Sequence, residues 1–311
     1  MIKYILRRIL MFIPVMLGVT MLVFTLMYIT PGDPIDSILE GGNSTVEQRE
    51  ALREELGLNG GYFQRLYNYV SRLMKGDMGI CYSTKRNVSE RIASTFPNTL
   101  KLTSISVALA VVIGITMGLL AAVWQYSIFD SVSMGIAMVG NAMPNFWQGL
   151  LLMLVFAVKL KWLPATGFSS WKHIILPAIT IGTSSAASIA RMTRSSMLEV
   201  IRQDYISTAR AKGQNEWVIR LHHALKNAMI PIVTLVGTDF GYMLTGSMLI
   251  EKVFSIPGIG KLAVDAMSNR DLPLLEGTVM YIAFVFVIVN LIVDVSYAFL
   301  DPRIRYGKGA A

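Results

Sequence analysis

The chain has 311 residues, 53% of them hydrophobic and only 15% charged, with 28 basic and 20 acidic residues giving a formal charge of +8. Soluble domains carry about 25% charge, so the soluble globular and disordered classes are both excluded. The basic residues lie in short segments beside apolar runs, which suits membrane orientation rather than nucleic-acid binding.

A helix crossing about 30 Å of hydrocarbon needs roughly 20 apolar residues. In chain order, residues 9–30 and 102–124 carry no charge, and residues 132–158 are uncharged but interrupted by Asn141, Pro144 and Asn145. Residues 174–190 are shorter and rich in Ser, Thr, Ala and Gly, a composition that lets helices approach closely inside a bundle. Residues 228–250 contain one charge, Asp239, and residues 277–300 contain one, Asp294. The expected architecture is all-α, a polytopic membrane protein with six transmembrane helices. With the N-terminus inside, the inner pieces 1–8, 125–131, 191–227 and 301–311 sum to +8 and the outer pieces to +2. That asymmetry predicts cytoplasmic N- and C-termini. Cys81 is the sole cysteine, so there is no intrachain disulfide and no Cys-rich metal site.

The outer segment 31–98 opens on Thr30-Pro31-Gly32-Asp33-Pro34, a helix stop with strong turn chemistry. Residues 46–56 and 62–74 have helical patterning and predict a small helical cap, with too few large apolar residues for a separate core. In the inner segment 191–227, Asp204 is expected to cap a short helix over 205–212, with Lys212 in its last turn and Gly213 ending it. Asn215 then caps a second short helix carrying Trp217, Val218, Leu221 and Leu225. Two short helices joined at a glycine make a stiff elbow. Its Tyr205, Ile206, Trp217 and Val218 need something to bury against, which a solvated basic linker does not.

Other motifs are weaker. Gly258-Ile259-Gly260-Lys261 is not a phosphate loop, because Ser255 occupies the first glycine position and Leu262 replaces Ser/Thr. His173, His222 and His223 are the only histidines, and neither HExxH nor GxSxG occurs, so no catalytic residue and no metal site are expected. Thr183, Ser184, Ser185 and Ser188 read as helix-packing groups. An ionisable residue in a span is a functional hypothesis. Asp239 points roughly opposite the face formed by Gly237 and Gly241, and two readings stand open for it: a substrate-pathway residue together with Asn141 and Asn145, or a buried partner for a polar group. Asp294 shares a stripe with Asn290, Tyr297 and Asp301 and is expected to be structural, as are Asp301 and Arg303.

Asp204-Tyr205-Ile206-Ser207-Thr208-Ala209-Arg210-Ala211-Lys212-Gly213, followed by His223-Ala224-Leu225-Lys226-Asn227-Ala228-Met229-Ile230-Pro231, resembles the cytoplasmic EAA-type loop of ABC importer permeases. The form is that of the oligopeptide/dipeptide/nickel group, first-permease subunit. Arg191-Met192-Thr193-Arg194, Pro31-Gly32-Asp33-Pro34, Glu251-Lys252-Val253-Phe254, Pro257-Gly258-Ile259-Gly260, Asn269-Arg270-Asp271 and Asp301-Pro302-Arg303 fit the same group, so the resemblance covers essentially the whole chain. Ser207, Thr208 and Leu225-Lys226 depart from the broader EAA pattern but match the peptide subgroup.

The resemblance implies a type I ABC importer permease fold. It divides the chain into a first transmembrane helix (1–30), an extracytoplasmic loop region (31–98), a permease core (95–300) containing the coupling loop (191–227), and a tail (301–311). It implies a bacterial or archaeal cytoplasmic membrane, a second homologous permease, two ABC ATPase subunits and an extracytoplasmic substrate-binding protein. ATP and magnesium would be used by the partners, with no cofactor bound by this chain. Asp204, Tyr205, Ala209, Arg210, Lys212, Gly213 and Trp217 would couple to the ATPase. Dipeptides or oligopeptides lead as substrates; glutathione and chelated nickel are the alternatives. The rival from another class is a proton-coupled secondary transporter using Asp239 and Asp294, for which the expected inverted repeats are not evident in the sequence.

Overall fold

A computed structural model describes residues 2–29, 35, 39, 45–55 and 59–300. The regular elements among the described residues are helices: α1 Ile2–Ile29, α2 Val46–Glu55, α3 Tyr62–Met74, α4 Val88–Val123, α5 Ile128–Ala142, α6 Asn145–Leu152, α7 Lys172–Val200, α8 Asp204–Ala211, α9 Glu216–Val218, α10 Lys226–Gly246, α11 Met248–Val253, α12 Ile259–Ser268 and α13 Leu272–Leu300. Two π-helical stretches, Met153–Lys159 and Ile219–Leu225, extend α6 and join α9 to α10. Among the described residues, five helices are long and apolar enough to cross a membrane, or six if the bent pair Ile128–Ala142 and Asn145–Lys159 counts as one span. Pro14, Pro97, Pro177 and Pro231 lie inside the long helices, where neighbouring groups can satisfy the freed carbonyls.

The expected third span, 132–158, is not straight. It breaks after Ala142 and turns by 103°. Met143 precedes Pro144 and takes an extended conformation, φ −77° and ψ 132°, because the proline ring disfavours the helical region for the residue before it. The fifth span also differs: it ends at Gly246, and the residues up to 250 belong partly to the separate helix α11.

The chain forms two compact units. In the first, residues 100–256 and 288–300, α7 is the central element. Its buried face presents Ala186, Ala187, Ile189 and Ala190, and Gly114 and Gly118 of α4 lie directly against it. A Cβ on Gly114 would fall 2.7 Å from Ile189 Cβ and 2.9 Å from the Ala186 carbonyl oxygen. A Cβ on Gly118 would run into the Ala190 carbonyl and Thr193. Small residues on both helices bring the backbones together, which is how apolar helices gain packing energy in lipid. A second cluster gathers Leu102, Leu176, Phe254 and Ile256.

The second unit comprises residues 2–99 and 257–287. Cys81, Val88, Ile92, Ile259, Leu262 and Leu274 form its core. α3 packs on α1 through aromatic pairs, Phe24–Tyr69 at 5.7 Å and Tyr28–Tyr62 at 5.2 Å between ring centroids. Asp271, 1% exposed, stands at the start of α13 and accepts from Tyr82 N at 3.0 Å, Ser83 N at 2.9 Å and Ser83 Oγ at 2.6 Å. Desolvation pushes the neighbouring Tyr82 phenol up to about 12, with the nearby carboxylates of Glu276 and Asp271 adding to it.

Candidate functional site

Two places in the first unit gather the residues singled out by the sequence. The first is the elbow. α8 begins after Gln203, whose backbone is extended and whose side chain makes no capping bond. Asp204 therefore sits in the first turn rather than at the cap, a correction to the sequence reading. A carboxylate there still favours the positive helix end. Ile206 and Ala209 are buried with Met197, Ile219, Ala224 and Ala228, so α8 is anchored to the body of the unit along one stripe. Lys212 follows the last turn and is exposed. Gly213 has φ +76°, a left-handed conformation that disfavours any residue with a Cβ by about 1–2 kcal/mol. A Cβ there would meet nothing within 4 Å, so the requirement for glycine comes from the backbone and not from crowding.

Beyond the joint, Asn215 caps as expected, its Oδ1 accepting from Trp217 N at 2.8 Å. The second helix is not short, however: Glu216–Thr245 runs as one 30-residue helix into the fifth span. Two contacts brace the joint. Arg210 of α8 donates to both oxygens of Glu216, at 2.7 and 3.4 Å, and His223 Nε2 lies 2.7 Å from Oε1 of Gln214, next to Gly213. Desolvation, opposed by the neighbouring Asn227 amide, pushes the Tyr205 phenol up. Arg210 thus finds an acid within the chain while staying exposed. The pair is exposed at 42% and 44%, so it adds only about 0.2–1 kcal/mol; its role is to fix an angle. Tyr205, Trp217, Val218 and Leu221 remain exposed on the outside of the elbow.

Behind the elbow, Arg194 near the end of α7 forks onto Asp130, Nε to Oδ1 at 2.6 Å and Nη2 to Oδ2 at 2.7 Å. Asp130 also accepts from Tyr126 N at 3.0 Å and is nearly buried. This pair links residues 64 positions apart, and no local pattern signals it.

The second place is a polar cavity of about 160 Å³ lined by Asn145, Ser184, Ser185, Ser188, Asp239 and Tyr242 among others. The bend at Met143 brings α6 over α7, so Asn145 reaches the same hollow as Asp239 from α10. Asn141 lies beside it, its Oδ1 accepting from Ser184 Oγ at 3.4 Å and Ser188 Oγ at 3.3 Å, and Ser185 lines the cavity together with Asp239. Asp239, Asn141 and Asn145 are therefore brought together through the α7 serines, which do more than pack helices. On the opposite side of α10, a side chain on Gly237 would collide with Val293 of α13, in line with a glycine face turned to a neighbouring helix. The Asp294 side chain, Asp301 and Arg303 lie outside the described residues.

Comparison with known proteins agrees along nearly the whole chain. Residues 114–306 match the family described as binding-protein-dependent transport system inner membrane component, and residues 1–103 match that family's N-terminal domain. The glutathione transport system permease protein GsiC of Escherichia coli (strain K12) is 42% identical over 306 residues, covering 98% of this chain and 100% of the relative. That of Salmonella choleraesuis (strain SC-B67) is 43% identical over the same span. Among solved structures, the inward-facing MetNI methionine ABC transporter aligns with TM-score 0.59 at 17% identity, over 68% of this chain and 96% of that one. An amino acid ABC transporter with histidines aligns with TM-score 0.52 at 18% identity, over 69% and 94%. These likenesses carry the fold, that of a type I ABC importer permease. With the spans, the elbow and the full-length kinship in hand, the chain belongs to the binding-protein-dependent transport system inner membrane components, as a multi-pass permease subunit of an ABC importer of the peptide type.

Proposed function

We propose that this permease imports short peptides of the glutathione class, with glutathione itself the leading candidate and other dipeptides or oligopeptides next. The full-length kinship with glutathione permeases carries that choice of substrate. The chain would pair with a second homologous permease and receive substrate from an extracytoplasmic binding protein. Two ABC ATPase subunits would use ATP and magnesium on the cytoplasmic side, where the +8 balance of the inner segments would also hold both termini.

The elbow is the proposed point of drive. Its exposed Tyr205, Trp217, Val218 and Leu221 offer an apolar surface to an ATPase groove, and its braces make α8 and the following helix one stiff piece. A stiff element whose contacts differ between two states is what converts nucleotide-driven closure into helix movement. This chain would act by position alone and carry no catalytic group.

Reconstituted with its partners in vesicles, the importer should take up labelled glutathione only when ATP is supplied on the ATPase side. Uptake driven by a proton gradient without ATP would replace this reading with a secondary carrier. Proline at Gly213 fixes φ near −65°, far from +76°. Gly213→Pro should insert and assemble yet lose at least about tenfold in uptake per ATP hydrolysed, a loss of some 1.4 kcal/mol in coupling. Unchanged uptake per ATP would remove the elbow from the drive.

A further inference from the structure

The cavity beside α7 has a charge and a size that together specify a ligand. Asp239 supplies one carboxylate, with Ser185 beside it in the lining. Among the described residues lining the cavity there is no cationic side chain. Ser184 and Ser188 direct their hydrogens to Asn141, which leaves their oxygen lone pairs as acceptors. The hollow is thus a set of acceptors around one carboxyl group within helices that cross a membrane, where its ionised form is costly without a cationic partner. At about 160 Å³ it can hold a few water molecules or an alkylammonium head, but not the body of a peptide.

We propose that this cavity is a cation-selective subsite that takes the free ammonium group of a peptide-type substrate during its passage, with Asp239 as counter-charge and Ser184 and Ser188 as further acceptors. An ammonium has three donors and no acceptor, and the carboxylate with two hydroxyl oxygens matches that count. The proposal rests on the importer function above, because it takes its ligand from the substrate class proposed there.

The test uses the assembled importer in vesicles. Cys81 is the sole cysteine of this chain and is fully buried, so a cysteine introduced by Ser188→Cys is this chain's only accessible thiol, and the same assembly without it gives the partner subunits' background labelling to subtract. Reaction rates of the introduced thiol with a positively charged and a negatively charged methanethiosulfonate are compared with Asp239 intact and in the Asp239→Asn background. The cation-to-anion rate ratio should fall at least about tenfold on Asp239→Asn. In the same background without the introduced cysteine, KM for glutathione should rise while the rate at saturation is largely kept. An unchanged ratio, or a thiol inaccessible to both reagents, overturns the subsite. Should the ratio fall as expected while the wild-type importer moves no peptide-type substrate, the cavity's cation selectivity stands and the functional assignment is what fails.

Discussion

Gly118→Leu is expected to yield almost no stable protein. The Cα of Gly118 lies so near α7 that an added Cβ would run into the Ala190 carbonyl oxygen and lie 2.6 Å from Thr193 Cβ. The obstacle is helix backbone, which cannot swing aside as a flexible side chain can. Gly114, one turn earlier, faces the Ala186 carbonyl and Ile189 in the same way, so α4 cannot relieve the clash by pivoting. Overpacking in a filled core costs about 1–3 kcal/mol where side chains can adjust, and here the whole helix must shift, so the expected loss exceeds about 3 kcal/mol. Yield of monodisperse protein in mild detergent and its thermal midpoint measure this. Gly135→Leu is the control, since a Cβ there meets nothing within 4 Å and should leave both nearly unchanged. Equal midpoints for the Gly118 and Gly135 variants would mean that α4 and α7 do not meet as described.

Asp271→Ala should free the segment around Cys81 in the second unit. The Asp271 carboxylate takes two backbone N–H groups and one hydroxyl from Tyr82 and Ser83. Alanine leaves those donors without their acceptor. Ser83 is exposed and Tyr82 only half-buried, so water can replace part of what is lost, and the cost is that of hydrogen bonds to a charged group, about 1.5–3 kcal/mol. Cys81 reports the outcome directly, since it is inaccessible when the loop is held. In the wild type its thiol should resist a membrane-impermeant maleimide for hours. In Asp271→Ala it should react at least about tenfold faster, as expected when local opening becomes cheaper by that amount. Asp271→Asn, which keeps one acceptor oxygen, should fall between. A Cys81 equally silent in the alanine variant would show that the loop is held by packing alone.

Much of this was open to reading because lipid imposes simple rules. Uncharged runs gave the spans, and the cap helices over 46–55 and 62–74 fall within a residue of their expected limits. Asn215 caps where its spacing to Trp217 places it. What escaped was of two kinds. Local chemistry was overridden at Asp204, where the chain enters α8 one residue earlier and Gln203 takes the cap position. At Met143-Pro144 the interruption visible in the apolar run is a 103° turn, an angle that spacing alone does not specify. Long-range partners left no trace in spacing: Arg194 with Asp130, and Asp271 with the loop at 82–83, 188 and 189 positions away. The Gly114–Gly118 pair could have been found, since its four-residue spacing is itself a packing signal.

The π-helical stretch Ile219–Leu225 sets an angular phase. A π turn houses an additional residue relative to an α turn, so everything beyond it is rotated by about 100°, one residue's share of a 3.6-residue turn. That offset decides which side of α10 carries Asp239 relative to the joint at Gly213. Were the stretch to relax to regular α-helix, the carboxylate would swing about the helix axis away from the α7 serines while the elbow stayed in place. Seven residues thus time one end of a 30-residue rod against the other, so a change in winding there would re-aim the carboxylate without moving the joint.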